Sequence, residues 1–245
     1  IGLCLVGSEM CIRDRNFDDP IFILGLPRSG STMIEQILSS HSLIEGTQEL
    51  PNILAISRDI KLIDQKKGYP QNLLGLNQSY FDDLGKKYID ETKWARSSKP
   101  FFIDKMPNNF VHIGLIKLIL PKAKIIDARR NPMDTCFSCF KQYFAKGQHF
   151  TYDLDDIARY YKDYVRLMDY WKKLFPEEIF TIHYEQVIDN PNDRIRDLLE
   201  FCNVKFEDNC INFHKSKRPV KTASSEQVRQ PMYKLSLIHI SEPTR

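Results

Sequence analysis

Gly25, four residues, Gly30 and then the hydroxyl pair Ser31-Thr32 give the segment IFILGLPRSGST the outline of a phosphate-binding loop, yet no lysine follows Gly30. A Gly-rich turn between a buried strand and a helix start gathers backbone N–H groups and the positive end of a helix dipole at one point, which makes an anion site. In nucleoside-triphosphate enzymes the lysine reaches the β- and γ-phosphates, and the hydroxyl holds the Mg²⁺ that bridges them. With Ser31 in the lysine's place, the loop suits a ligand with one 5′-phosphate, for which neither lysine nor metal is needed. Arg28, inside the loop, can add charge and two parallel hydrogen bonds to that phosphate or its attached group. A tight turn would explain the glycines alone, but it does not call for Arg, Ser and Thr together.

A second pair points to a further phosphate. In DARRNPMDTCFSC, Arg130 falls at a strand end and Ser138 lies eight residues on, about two turns into the next helix. Ligands of parallel sheets bind at strand ends. Taken alone, the pair also fits a solvated arginine and an ordinary helical serine.

These residues need a scaffold, and apolar bursts alternating with helical periodicity supply one: β-α units around a parallel sheet. IFILGL reads as a buried strand and STMIEQILSS as a helix with Met33, Ile34, Ile37 and Leu38 on one face. FFIDKM is a second strand, NNFVHIGLIKLIL a helix stopped by Pro121, and AKIIDAR a strand, with Pro132 opening the next helix. Asp153 to Phe175 reads as a long amphipathic helix, IFTIHYEQVI as a further strand, and NPNDRIRDLLEFCNV as a further helix. Gly68 to Ser98 has no clear strand and reads as a helical insertion or lid. The expected fold class is α/β, a P-loop NTPase-like parallel sheet flanked by helices, in one domain.

The ends read as foreign. Leu5–Arg15 and Leu235–Arg245 can both be written as translations of one short DNA segment read on opposite strands, and that segment resembles a transposon adapter used in sequencing libraries. Residues 1–15 and 235–245 are therefore set aside as adapter-derived, which leaves 16–234 as the expected domain. A hydrophobic share of 42% and a charged share of 27% suit a soluble globular protein. The net charge of +3 suits a small anionic ligand as readily as nucleic acid, so no nucleic-acid partner is called for. No apolar run is long enough to span a bilayer. Of the six cysteines, Cys136, Cys139, Cys202 and Cys210 lie in the domain and form no secreted disulfide pattern, which favours a reducing, cytoplasmic compartment.

The loop and the Arg130/Ser138 pair, in this order, resemble the sulfotransferases that use 3′-phosphoadenosine 5′-phosphosulfate (PAPS). FILGLPRSGST resembles their 5′-phosphosulfate loop and RNPMDTCFS their 3′-phosphate segment. Within that superfamily the chain is most similar to bacterial sulfotransferases often fused to tetratricopeptide repeats and to the tyrosylprotein sulfotransferases. The likeness extends to HSLIEGTQELPNI, IDKMPNNF, HYEQVIDNP and TASSEQVRQPMY, nearly the whole of 16–234. The resemblance implies a sulfotransferase fold and metal-free sulfuryl transfer from PAPS to a hydroxyl acceptor. By the same resemblance Arg28, Ser29, Gly30, Ser31 and Thr32 hold the 5′-phosphosulfate, and Arg130 and Ser138 the 3′-phosphate. Glu49 aligns with the catalytic base of the tyrosylprotein enzymes, Lys105 with the lysine that stabilises transfer, and Tyr184 and Ser224 with residues lining the nucleotide site. The chemistry is coherent, since a carboxylate can take a hydroxyl proton while cations and N–H groups offset developing charge. Without the family, Glu49 also fits a helix-start acid and Lys105 a solvated strand-end lysine. These families continue past QPMY with a glycine-containing, basic segment that serves the 3′-phosphate. Here the adapter-derived end stands in its place from Leu235, so weakened nucleotide binding is expected of this chain. Acceptor pockets lie in variable loops, so tyrosine, carbohydrate and lipid hydroxyls all stand as acceptors.

Three rivals belong to other classes. A P-loop kinase would use Asp104 or Asp127 as its Mg²⁺-holding acid, against which Ser31 stands. A metal or redox site could use Cys136 and Cys139, but Cys202 and Cys210 are spaced too far apart for a usual second zinc pair, and the CxxC falls within an expected helix. A pure interaction module would bind no nucleotide.

Overall fold

The computed structural model describes residues 20–63, 66–97, 99–144, 147–215 and 228. Five strands, β1 (Ile21–Gly25), β2 (Ile44–Gly46), β3 (Phe101–Lys105), β4 (Lys124–Arg129) and β5 (Ile179–His183), pair in parallel in the order β2-β3-β1-β4-β5. Because parallel strands are covered on both faces, they are apolar runs rather than alternations, and all of β1 is buried. Register sets Ile23 beside Lys105 of β3 and Gly25 beside Ala128 of β4, so the loop after β1 opens between those two strand ends.

Helices close the two faces. On one, α1 (Ser31–Ser39) lays Met33, Ile34, Ile37 and Leu38 against Ile21, Ile23, Ile103 and Ile126. The other face is covered by α2 (Asn52–Ile63), α3 (Gln78–Glu91), α4 (Ile113–Ile119) and α6 (Leu154–Leu174), through Ile53, Ile56, Leu84, Tyr88, Ile116, Met168 and Trp171. The helices α5 (Pro132–Lys141), α7 (Tyr184–Asp189) and α8 (Pro191–Phe201) follow β4 and β5. Burying one such Ile or Leu is worth about 1.5–3 kcal/mol. The two apolar faces therefore hold the sheet, and the loops at its edge can carry costly backbone. The chain passes from β1 through α1 on one face, and from β3 through α4 on the other. That reversal around β1 marks the crevice where ligands of open α/β sheets bind.

The expected parallel α/β sheet is present, with differences in detail. IFTIHYEQVI is not one strand: β5 ends at His183 and Tyr184–Asp189 is α7. Aromatic and β-branched residues favour strand, but Val187 turns into the core from a helical turn instead. The expected helix from Asn108 begins as a 3₁₀ segment, Pro107–His112, before α4. The edge strand β2 and helix α2 were not anticipated. Within 68–97 the regular structure is helical, with α3 between two 3₁₀ turns, as the lack of a strand pattern suggested.

Candidate active site

The loop from Leu26 to Gly30 is held in a conformation that its residues explain. Gly25 has φ 143°, and a Cβ there would stand 2.4 Å from the Ala128 carbonyl oxygen; Gly30 has φ 92°, and a Cβ would meet the Tyr184 ring at 2.9 Å. Both positions therefore need glycine. Arg28 adopts φ 66°, a left-handed conformation that costs a non-glycine residue energy and concentrates at functional sites. Helix α1 starts at Ser31 with no side-chain cap and no acid in its first turn, so its own first turn leaves its positive end toward the loop. Ser31 and Thr32 are both buried there. Ser29 is 2% exposed, and its Oγ has no hydrogen-bond partner.

Strand β4 delivers the second group. Asn131 caps α5 by accepting from the N–H groups of Met133 and Asp134, and Pro132 occupies the first turn, which fixes where the helix leaves the strand. Arg130 then lies with its Nη2 3.6 Å from an Asp134 oxygen and its guanidinium 5.0 Å over the Tyr184 ring, while its Nε is buried without a partner. Arg28 Nε donates to Ser138 Oγ at 2.9 Å, joining the loop to α5. Arg28, Ser138, Arg130, Tyr184 and Gly30 thus form one continuous cluster. Tyr184 was expected beside a nucleotide, but its packing on Gly30 was not legible in the sequence. Ser224 lies outside the described residues.

On the other side of β1, Lys105 Nζ is 2.6 Å from Glu49 Oε1, with Lys105 side-chain exposure at 2% and Glu49 at 48%. Thr47 donates its hydroxyl to the Ile103 carbonyl at 2.6 Å, pinning the segment that carries Glu49 onto β3. Thr47 was missed by sequence reasoning, its only signal being its place between β2 and Glu49. The acids considered for a kinase, Asp104 and Asp127, share a sheet face with Phe102 and Ile125, opposite Lys105 and α1. Asp104 accepts from the Tyr88 hydroxyl at 2.7 Å, and burial pushes its carboxyl up to about 7 against the pull of Tyr88 and Lys105. Asp127 is fully buried and accepts from Tyr164, from Arg129 at 2.7 Å and from Thr181 at 3.2 Å. Both acids serve buried hydrogen-bond networks. Cys136, Cys139, Cys202 and Cys210 are free thiols. Burial pushes Cys139, Cys202 and Cys210 up to about 12, which makes them inert as thiolates. Among the described residues no helix is long and apolar enough to cross a membrane.

The parallel sheet thus carries a phosphate-type loop at its reversal, Arg130 just past the neighbouring strand and a lysine–carboxylate pair across the crevice. The family is settled by sequence: residues 20–208 match the model of the sulfotransferase family, and the chain belongs to it. An uncharacterized protein of Aquifex aeolicus is 39% identical over 227 residues, covering 89% of this chain and 30% of its own length. Protein-tyrosine sulfotransferase A of Caenorhabditis elegans is 22% identical over 200 residues, covering 78% of this chain and 52% of its own length. The chain therefore spans about a third of the Aquifex relative and about half of the nematode one. Mouse sulfotransferase SULT7A1, solved in complex with PAP, shares the fold at a TM-score of 0.56 and 16% identity, over 93% of this chain and 79% of that one.

Proposed function

We propose that the domain, residues 16–234, moves a sulfuryl group from PAPS to a hydroxyl acceptor in the cytoplasm, without a metal. The observation that carries this reading is that, of the buried polar atoms without partners among the described residues, one is Ser29 Oγ in the loop and another is Arg130 Nε just past β4, the two places a bisphosphate would meet. Leaving such an atom unpaired costs about 1–3 kcal/mol. A ligand with one phosphate at each place satisfies both, and the mouse relative of the same fold was solved with PAP.

PAPS supplies the sulfuryl group and leaves as PAP. Arg28, Ser29, Ser31, Thr32 and the loop N–H groups hold the 5′ side, with Gly30 shaping the loop; Arg130 and Ser138 hold the 3′-phosphate; Tyr184 and Ser224 line the nucleotide. Glu49, half-exposed and therefore reachable by an acceptor, takes the hydroxyl proton as the acceptor oxygen bonds to sulfur. Lys105 offsets the charge that gathers on the departing phosphate oxygen. The nematode relative's name favours protein tyrosine as acceptor over carbohydrate.

The test is transfer of labelled sulfate from PAPS to tyrosine peptides and oligosaccharides in excess EDTA. Activity should survive the chelator, and Ser31→Lys, which restores the lysine pattern, should lower it by crowding a buried position without conferring ATP hydrolysis. Activity lost in EDTA and recovered with Mg²⁺ would sink the metal-free reading. The 3′ assignment has its own measurement. Arg130→Ala should weaken PAP binding by roughly tenfold to a hundredfold, the loss of a charged hydrogen bond worth about 1.5–3 kcal/mol. Binding of adenosine 5′-phosphosulfate, which lacks the 3′-phosphate, should hardly change in calorimetry. Equal losses for both ligands would remove Arg130 from the 3′ site.

A further inference from the structure

The CxxC of α5 takes no part in the proposed chemistry, yet its second cysteine touches the loop. Cys139 is 1% exposed, and its Sγ lies 3.1 Å from the Pro27 carbonyl oxygen. The neighbouring residue, Ser138, accepts from Arg28. Two consecutive residues of α5 thus grip two consecutive residues of the loop, one through its backbone and one through its side chain. Arg28 is also the residue whose φ of 66° sets the turn. A loop that points N–H groups at an anion must turn carbonyls the other way, and a buried carbonyl needs a donor. Within the same loop, Ser29 Oγ is buried without a hydrogen-bond partner and lies 3.1 Å from where a Gly25 Cβ would sit, so the turn is packed tightly on itself.

We propose that Cys139 is a positioning residue for the donor: its thiol, donating to the Pro27 carbonyl, fixes the Pro27–Arg28 peptide and so aims the loop at the 5′-phosphate. The proposal rests on the PAPS reading. High thiol pKa suits the role, since only the protonated sulfur can donate, and burial keeps Cys139 protonated at neutral pH.

Three variants separate hydrogen bonding from packing. Cys139→Ala removes the donor and leaves space, Cys139→Val fills the space without a donor, and Cys139→Ser restores a donor. Calorimetry with PAP, and with adenosine 3′-phosphate, which lacks the 5′-phosphate, reads the two sides of the nucleotide. Ala and Val should both weaken PAP about three- to tenfold, the range for one lost neutral hydrogen bond, and leave adenosine 3′-phosphate unchanged. Ser should bind PAP as the parent does, and in turnover the Ala and Val losses should fall on KM for the donor rather than on kcat. Rescue by Val instead of Ser, equal losses for both nucleotides, or no loss in any variant would each overturn the proposal while PAP binding by the parent protein keeps the PAPS reading intact. With the family's segment after QPMY restored in place of residues 235–245, a parent protein that binds neither nucleotide overturns both.

Discussion

Glu49→Gln is expected to lower turnover by roughly 10²- to 10⁴-fold, the range for one general base, with PAP affinity little changed. The substitution isolates proton transfer because the glutamine side chain keeps the size of glutamate and its carbonyl still accepts a hydrogen bond from Lys105 Nζ, which lies 2.6 Å from Glu49 Oε1. Because Lys105 is 2% exposed, losing the countercharge of Glu49 leaves a buried ammonium beside a neutral partner, so some lowering of the melting temperature is expected alongside the loss of turnover. The measurement is steady-state sulfate transfer at saturating PAPS, beside calorimetry with PAP and a thermal melt. Turnover within tenfold of the parent would make Glu49 a structural partner of Lys105 and leave the acceptor's proton to another group.

The parts of this site that were legible in the sequence are those whose signal is local. IFILG announces a buried parallel strand because both its faces are covered, and Gly25 and Gly30 announce a turn with positive φ because other residues suffer steric strain there. Arg130 and Ser138 could be paired because a strand end and a helix begin within one short segment. What escaped was set by contacts between distant segments. Nothing near Tyr184 in sequence says that its ring covers Gly30, and YEQVI carries strand-forming residues that the core draws into α7. β2 is too short, at three residues, to show a period. The CxxC was read as packing within a helix, and Cys139 is buried there, but its hydrogen bond to Pro27 depends on how α5 meets the loop.

Lys105 is the second residue on which a large effect is expected. Its side chain is 2% exposed, so its cost to the fold and its value to chemistry must be told apart. Lys105→Met keeps the chain length and apolar stem while removing the charge, and near-isosteric exchanges of this kind usually cost less than about 1.5 kcal/mol in a core. Removing one group that stabilises charge in the transition state typically lowers kcat about 10²- to 10³-fold. That loss is expected here, with PAP affinity falling no more than about tenfold because the charge on the departing oxygen is greatest during transfer. Combining Lys105→Met with Glu49→Gln gives the sharper reading. If the lysine orients the carboxylate as well as offsetting charge, the two act as a unit, and the double variant should be far less impaired than the product of the single losses. Losses that multiply would mean that Glu49 and Lys105 work independently. A Lys105→Met protein with kcat near that of the parent, and only a lowered melting temperature, would confine Lys105 to the fold.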